Sequence, residues 1–368
     1  MRAVGKGWKV PGMMLFGVAV AIGILSWWLT GRLASESSPF LLLDHPNERS
    51  LHQRPTPRTG GVAVMASLFV GAFVCWILAQ ISSVQEGLSL LIEPAGWMIL
   101  AATCVLSVVS LVDDRKGLPV SLRLGIQLVV SAVLVIGSSL RFPPLAIPLV
   151  GSIQWGWLAV PLAVLMLVWM ANLYNFMDGM DGFAGGMTVI GGGGLAYIAW
   201  TRNSGTLGIL ALFLAAAALG FLAYNFPPAK IFLGDVGSIP VGFIYGALML
   251  LGSRDKVFEV WVPVILFSPF IVDATVTVIR RALRGENIWQ AHRSHYYQRA
   301  VLLGWGHRKT VLAEYVLMIL CGVLACGFQM ADDRTRLVIL GCWGLLMGVA
   351  MGGVHRAEQS VARAGMKV

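Results

Sequence analysis

Five aspartates stand in short polar segments that interrupt a very apolar chain, and these segments hold most of the groups that could do chemistry. The segments cover residues 111–116, 172–182, 232–238 and 292–299. A carboxylate close to a membrane is costly unless it is paired with a charge or bound to an ion. Aspartates with glycines and basic residues nearby therefore predict a site for a divalent cation and a phosphate. The five carboxylates are Asp113, Asp114, Asp178, Asp181 and Asp235.

Asp113 and Asp114 are expected at the end of a helix, where the chain leaves its apolar layer. Neighbouring helical residues point about 100° apart, so the two carboxylates cannot make the same contact. One could bind a metal ion while the other faces a proton or Lys116. The alternative is a solvated helix end at which Arg115 and Lys116 neutralise the pair.

Asn172, Asn175, Asp178 and Asp181 follow one another at intervals of three residues. This spacing puts the two asparagines on one face, and the two aspartates on one face, as long as a helix persists. A glycine after each aspartate lets the chain break and open toward a ligand. Hard oxygen donors of this kind suit Mg²⁺ or Mn²⁺ and the hydroxyls of a sugar or nucleotide.

Residues 234–238 read Gly-Asp-Val-Gly-Ser at the start of a predicted helix. The free N–H groups of a helix N-terminus can bind a phosphate, and Asp235 beside them could hold the cation that bridges it. The other interpretation is that Asp235 only caps the helix, a position where Asp is common.

His292 and His295 have a spacing that could serve zinc, but no Cys or third clustered His accompanies them. With Arg293, Arg299 and two tyrosines in the same segment, contacts with phosphate and a base are favoured over a metal. His307 lies beyond the segment and is predicted to be a loop residue without a role.

The first polar loop, 44–61, contains three prolines and ends in two glycines, which predicts an extended, turn-rich backbone. Its arginines, Arg49, Arg54 and Arg58, could simply anchor the chain at the membrane surface. Alternatively, the loop holds a phosphate or covers an active site, because arginine forks bind phosphate and a glycine pair permits close backbone approach.

The composition predicts a membrane protein, since 57% of the residues are hydrophobic, 12% are charged and the mean hydropathy is +0.77. Soluble domains average about 25% charged residues. We therefore predict an all-α, polytopic transmembrane bundle of about eleven helices, a single domain over 1–368 with catalytic cytoplasmic loops. Four consecutive glycines, 191–194, predict a close approach of helices. The predicted spans are 13–31, 61–81, 95–112, 124–141, 155–173, 187–201, 206–225, 237–252, 258–279, 310–330 and 336–354.

The distribution of Lys and Arg predicts the orientation of the bundle. If the loop after the first helix is cytoplasmic, eighteen basic residues lie inside and nine outside. Arg2, Lys6 and Lys9 oppose this orientation. The net charge of +9 sits in membrane-flanking loops, so we expect anionic lipid and anionic substrates as partners and no nucleic acid.

The order and spacing of these motifs resemble those of the polyprenyl-phosphate N-acetylhexosamine-1-phosphate transferases. The resemblance rests on Asp113-Asp114, on Asn172-x-x-Asn175-x-x-Asp178-Gly-x-Asp181-Gly, on Phe232-Leu-Gly-Asp235-x-Gly-Ser238 and on the later His/Arg segment, and it covers about 44–308. It implies transfer of a sugar-1-phosphate from a UDP-N-acetylhexosamine to undecaprenyl phosphate on the cytoplasmic face of a bacterial inner membrane, with release of UMP. A homodimer that pairs through apolar helix faces is also compatible with the sequence.

The resemblance further implies roles for individual residues. Mg²⁺, or Mn²⁺, would be held by Asp235 with Asp178 or Asp181. Asp113 or Asp114 would orient or deprotonate the lipid phosphate, and a covalent aspartyl intermediate is the competing route. The substrate-binding residues would be Arg58, Lys116, Asn172, Asn175, His292, Arg293, His295 and Arg299.

The chain departs from two branches of the family in its last motif, which reads His292-Arg-Ser-His295. Peptidoglycan translocases have consecutive histidines at this place, and the common-antigen enzymes have a related His-rich version. This argues against a muramyl-pentapeptide donor, the alternative within the family. The motif resembles the O-antigen-initiating branch that accepts 6-deoxy-N-acetyl sugars such as FucNAc or QuiNAc, with plain GlcNAc as the open alternative. A secondary transporter is the rival class, but transporter carboxylates lie near the bilayer midplane, whereas these lie at helix ends on one side.

Overall fold

A computed structural model of the chain describes residues 9–35, 38, 42–46, 51–80, 94–202, 204–287 and 292–363. Within these residues the fold is a bundle of helices with two small antiparallel hairpins. Four basic residues that enter the charge count, Arg2, Lys6, Arg49 and Lys367, lie outside the described residues. The predicted all-α class is confirmed.

In chain order, the helices are α1 (Lys9–Leu33), α2 (Gly60–Ala79), α3 (Pro94–Lys116), α4 (Val120–Gly137), α5 (Ala159–Met177), α6 (Phe183–Thr201), α7 (Gly205–Asn225), α8 (Asp235–Arg254), α9 (Trp261–Leu266), α10 (Ser268–Leu283), α11 (Tyr296–Ala300), α12 (Gly306–Met330) and α13 (Asp333–Arg363). The strands are β1 (Leu43–Asp44), β2 (Thr56–Pro57), β3 (Leu145–Ile147) and β4 (Gly151–Ile153).

Ten helical segments in the described part of the chain are long and apolar enough to cross a membrane. The predicted span 258–279 is not among them, because its helix is interrupted at Phe267 between α9 and α10. Pro269 lies in the first turn of α10 and has no N–H to continue a preceding helix. The prediction of one continuous helix there was wrong.

Several helices extend further than predicted at the end of the bundle that carries the polar segments. Helix α3 continues to Lys116 and α5 to Met177, whereas their apolar runs stop at 112 and 173. The aspartate pair of α3 and the asparagines of α5 therefore lie on regular helix. Their side chains have fixed directions toward the neighbouring helices.

Helix α8 is the centre of the bundle, because every residue from Val236 to Gly252 is buried. Its neighbours α3 and α5 pack along it. At Gly242 the two backbones meet directly, since a Cβ there would collide with the Met170 carbonyl oxygen of α5. The predicted close approach at 191–194 is also found: Gly192 abuts the Tyr245 hydroxyl, although Gly193 faces open space.

The loop between α1 and α2 is fixed to the start of α8. The amides of Gly60 and Gly61 donate to the carbonyls of Phe232 at 2.9 Å and Leu233 at 2.7 Å. A Cβ on Gly61 would collide with the Gly237 backbone. The glycine pair thus serves close approach of the protein's own backbone, while the β1–β2 pairing closes the loop above it.

Replacing Gly242 by alanine tests the packing of α8 on α5. We expect Gly242→Ala to destabilise the protein by roughly 1–3 kcal/mol, because the new methyl group meets a backbone carbonyl rather than a side chain that can move. Gly193→Ala is the matched control and should be neutral or slightly stabilising, since alanine is the better helix former. Thermal unfolding in detergent measures both. Equal stability of the two variants would contradict this packing.

Candidate active site

A cavity of about 350 Å³ opens at the end of the bundle where the polar segments meet. A larger, more open cavity of about 490 Å³ adjoins it, sharing Arg58, Asp114 and Asp235 and adding Asp113 and Arg123. The polar lining of the first cavity consists of Asp44, His52, Arg58, Asp114, Asn175, Asp178, Asp181, Asn225, Asp235, Gln298 and His307. Four of the five predicted aspartates thus share one cavity.

Asp235 stands at the start of α8, with its side chain directed toward α5 and α4. Asn175 donates through Nδ2 to Asp235 Oδ1 at 2.7 Å, and Arg123 Nη1 lies 3.5 Å from Oδ2. Gly234, with φ +70°, occupies the N-cap position and has no side chain with which to cap the helix. The capping interpretation of Asp235 was therefore wrong, and its carboxylate is directed into the site.

Both oxygens of Asp113 are already occupied by partners. Leu118 N–H donates to Oδ1 at 2.6 Å, and Arg123 Nη1 donates to Oδ2 at 2.6 Å. Since the same Nη1 also approaches Asp235, Asp113 holds the guanidinium of Arg123 beside the centre of the site. Arg123 was not among the predicted site residues.

Asp114 points away from Asp113, as the helical geometry predicts, and joins three segments. Its side chain is 3% exposed, and Arg58 Nη1 lies 3.4 Å from Oδ1. Arg58 Nη2 also donates to the Asp114 carbonyl at 2.5 Å, while the Val236 amide approaches Oδ2 at 3.4 Å. Asp114 therefore connects α3 to the first loop and to the start of α8.

Asp178 and Asp181 lie in the short connection between α5 and α6, not on a helix. Helix α5 ends at Met177, and Gly182 has φ +75°, a conformation that favours glycine. The predicted shared helical face of the two aspartates is therefore absent. The chain break at the glycine was predicted and is found.

The surroundings of Asp178 in the cavity disfavour its charged form. Burial raises its pKa well above the ordinary value, and the nearby carboxylate of Asp235 raises it further, with a smaller effect from Asp114. A hydrogen bond from the Gly234 backbone N–H opposes these effects. Burial is thus the main reason that the charged form of Asp178 is disfavoured, and repulsion by the neighbouring carboxylates adds to it.

Asp181 is held by protein groups on both oxygens. His307 Nδ1 lies 3.1 Å from Oδ1, and Ala229 N–H donates to Oδ2 at 3.0 Å. His307 is in the first turn of α12 and lines the cavity. His307 was predicted to be a loop residue without a role, and that prediction was wrong. Its aspartate partner lies 126 residues away in the sequence, so the local sequence did not indicate the contact.

The two asparagines of α5 separate in the structure. Asn175 contacts Asp235 and, at 3.0 Å, the hydroxyl of Ser238. Asn172 instead donates to Gln127 of α4 at 2.6 Å and to the Val168 carbonyl at 2.8 Å, and it lines neither cavity. Only Asn175 is in position to act within the site.

The two histidines of the last motif lie outside both cavities. His295 is buried, with Nδ1 3.3 Å from Asp273, and Asp273 also accepts the backbone N–H groups of Tyr296 and Tyr297. His292 is bonded to Ser294. Asp273, which the sequence did not single out, thus fixes α11, and Gln298 is the residue of α11 that reaches the cavity.

Burial lowers the pKa of His292 to about 4, and the adjacent His295 and Arg281 contribute in the same direction. The imidazole is therefore neutral at physiological pH.

Three predicted basic residues do not reach the cavity. Arg299 forms a two-bond ion pair with Glu358 of α13, with Nε 2.5 Å from Oε1. Arg293 lies in a separate cavity beyond α11. Lys116 is exposed at the end of α3 and lines neither part of the site. Among the predicted basic residues, Arg58 is the one that the described structure places in the cavity.

The donor set fits a magnesium ion that is bound partly by substrate. In the described part of the chain, no group of three or more His, Cys, Asp or Glu side chains forms a ready-made metal site. Mg²⁺, however, usually takes one or two carboxylates, several waters and the phosphates of a substrate. Asp178 and Asp235 supply hard oxygens, and the charge repulsion felt by Asp178 is what a divalent cation would relieve.

Comparison with known proteins agrees with the motifs. Residues 96–253 match the family described as Glycosyl transferase family 4. The chain is 32% identical over 301 residues to the probable undecaprenyl-phosphate N-acetylglucosaminyl 1-phosphate transferase of Bacillus subtilis (strain 168), covering 81% of this chain and 80% of that protein.

Two further relatives extend the comparison. Decaprenyl-phosphate N-acetylglucosaminephosphotransferase of Mycobacterium tuberculosis (strain ATCC 25618 / H37Rv) is 30% identical over 349 residues, which are 88% of this chain and 83% of that protein. Phospho-N-acetylmuramoyl-pentapeptide-transferase of Halalkalibacterium halodurans is 29% identical over 288 residues, 74% and 84% of the two chains. The chain therefore belongs to the polyprenyl-phosphate N-acetylhexosamine-1-phosphate transferases, membrane enzymes that transfer a sugar phosphate to a polyprenyl phosphate.

Proposed function

We propose that this enzyme transfers an N-acetylhexosamine-1-phosphate from a UDP-sugar to undecaprenyl phosphate, in a reaction that requires Mg²⁺ or Mn²⁺. The observation that carries the proposal is the convergence of Asp114, Asp178 and Asp235 with Arg58 in one cavity at the end of a membrane bundle. Two anionic substrates can meet only where their charges are neutralised. A lipid acceptor also requires the site to lie at the membrane boundary.

In the proposed reaction a phosphate oxygen of the lipid attacks the β-phosphorus of the UDP-sugar. A new P–O bond forms, the bond from the β-phosphorus to the bridging oxygen breaks, and UMP leaves with that oxygen and its electron pair. The acceptor phosphate is largely ionised near neutral pH, since its second pKa is about 6 by analogy with a phosphorylated side chain. A strong general base is therefore not required.

Some residues would contact the substrates or the cation, and others hold those residues in position. Asp178 and Asp235 would hold the cation, which when bound neutralises the diphosphate and the charge developing on UMP. Arg58 and Arg123 face the cavities and would contact phosphate oxygens. Asn175 orients Asp235 through its 2.7 Å hydrogen bond.

Asp113 and Asp181 are assigned positioning roles. Asp113 holds Arg123, and Asp181 fixes the α5–α6 connection to His307 and Ala229. A carboxylate with both oxygens engaged is a poor nucleophile, which favours direct attack by the lipid phosphate over a covalent aspartyl intermediate. Asp114, with Arg58 beside it, would orient the acceptor.

For the donor we propose UDP-GlcNAc first, with UDP-QuiNAc and UDP-FucNAc as the alternatives. The names of two relatives specify N-acetylglucosamine, and one names N-acetylmuramoyl-pentapeptide. The product would be a lipid-linked sugar diphosphate that begins O-antigen or a related surface polysaccharide. The excess of basic residues at the site end favours a cytoplasmic active site in the bacterial inner membrane.

A donor comparison tests the proposed reaction. Purified enzyme with undecaprenyl phosphate and Mg²⁺ receives UDP-GlcNAc, UDP-QuiNAc, UDP-FucNAc or UDP-MurNAc-pentapeptide, and the lipid product is quantified. We expect turnover with an N-acetylhexosamine donor at least 100-fold faster than with the pentapeptide donor. A preference for the pentapeptide donor would contradict the proposal, as would no turnover of any donor by folded enzyme.

The two proposed cation ligands make a sharper test of mechanism. Asp178→Asn and Asp235→Asn should each lower kcat by about 10²–10³-fold, because an amide removes the charge that holds the cation. Chelation of divalent ions should abolish wild-type activity, and Mg²⁺ or Mn²⁺ should restore it. Asp255→Asn, at the other end of α8, is the control and should leave kcat unchanged. Full activity of both site variants would refute these assignments.

A further inference from the structure

A separate polar cavity of about 350 Å³, which we name the basic cavity, lies on the far side of α11 from the candidate active site. Neighbouring residues of α11 face the two spaces, since Gln298 lines the active-site cavity and Arg299 lines the basic cavity. Both therefore open at the same end of the bundle. The lining of the basic cavity is Thr277, Arg280, Arg281, Arg284, Glu286, Arg293, Ser294, Arg299, His355 and Glu358.

The basic cavity has a surplus of positive charge. Five arginines face two glutamates, which leaves three positive charges uncompensated even with His355 neutral. The adjoining residues 288–291 add no charge in the sequence. Arg281 also contributes to the low pKa of the neighbouring His292, so the positive field extends beyond the cavity itself.

The surplus is concentrated on three arginines. Arg299 and Arg281 form ion pairs with glutamates, Arg281 lying 3.0 Å from Glu286. Arg280 donates instead to the neutral Tyr296 hydroxyl at 2.6 Å, and within the described residues it makes no ion pair. Arg284 is 62% exposed, and its nearest carboxylate oxygen is 3.9 Å away. Arg293 is also exposed, and it makes no ion pair within the described part of the chain.

Apolar side chains at the end of α10 stand beside this charge. Ile279 is 51% exposed and Leu283 is 82% exposed. Their spacing of four residues puts them on one face of the helix, next to the face that carries Arg280 and Arg284. A soluble anion would gain nothing from such an apolar face, whereas a phosphate attached to acyl chains would use both faces.

We propose that the basic cavity binds the phosphate headgroup of an anionic phospholipid, with its acyl chains along Ile279 and Leu283. The bound lipid would be a resident of the surrounding membrane and not the acceptor substrate. It would hold α10 and α11 in place. Because Gln298 of α11 lines the active-site cavity, the lipid would also stabilise the wall of that cavity. This binding does not depend on which sugar the enzyme transfers.

Native mass spectrometry of the purified full-length protein, titrated with phosphatidylglycerol, tests the site. The double variant Arg280→Gln/Arg284→Gln should weaken binding by about 30-fold, because each basic residue near a lipid headgroup contributes about 1 kcal/mol. The control Arg141→Gln/Arg334→Gln removes two exposed arginines at the other end of the bundle and should bind like the wild type. Arg284→Lys keeps the charge and should retain binding.

Two further probes distinguish the source of the phosphate. Glycerol 3-phosphate carries the headgroup charge without chains and should bind at least 100-fold more weakly than phosphatidylglycerol, while phosphatidylcholine should not compete. Unchanged phosphatidylglycerol binding by the cavity double variant would overturn the proposal. Equal loss in the control would show general charge attraction instead, and glycerol 3-phosphate binding as tightly as the lipid would identify a free phosphate as the ligand.

Discussion

A carboxylate at the edge of an apolar bundle needs a partner, and the arrangement of this protein follows from how that need is met. Charge removed from water is stabilised only by an opposite charge, by hydrogen bonds or by a bound ion. Asp113 and Asp181 obtain both of their partners from the protein. Asp178 does not obtain enough, which is why its pKa is raised. In our proposal, a bound cation and the anionic substrates meet the remaining part of this requirement.

The architecture serves this arrangement by bringing distant segments to one point. Helix α8 is buried along its length and carries Asp235 at its first turn, where α3, α4 and α5 deliver their polar ends. Close backbone contacts at Gly61 and Gly242 set the distances between the packed segments. Asn175 and Arg123 both reach the carboxylate of Asp235. The precise partner of each aspartate is therefore a consequence of helix packing.

Much of the fold was predictable because a chain in lipid must form helices, and apolar runs of about 20 residues reveal them. The interruption at Phe267 stands two residues before Pro269, which lacks the N–H of a helical hydrogen bond. Three of the four motifs located the site for a similar reason, since polar residues are costly in such a chain, whereas the predicted residues of the fourth lie outside the cavities. The order of the motifs indicated the family.

Partner choice could not be read from the sequence. Asn172 and Asn175 look equivalent in the motif, yet one faces Gln127 and the other Asp235. His307 meets Asp181 only because α12 passes the α5–α6 connection. Arg299 is drawn away by Glu358 from the far end of the chain. These contacts depend on the relative placement of helices, which local spacing does not contain.

The central claim is that the chain transfers a sugar together with its phosphate. The most direct measurement uses UDP-GlcNAc labelled at the β-phosphorus, with undecaprenyl phosphate as the acceptor. We predict that the label appears in the lipid product and that unlabelled UMP is released in equal amount. Label retained in released UDP, with a lipid monophosphate sugar as product, would show transfer of the sugar alone and contradict the claim.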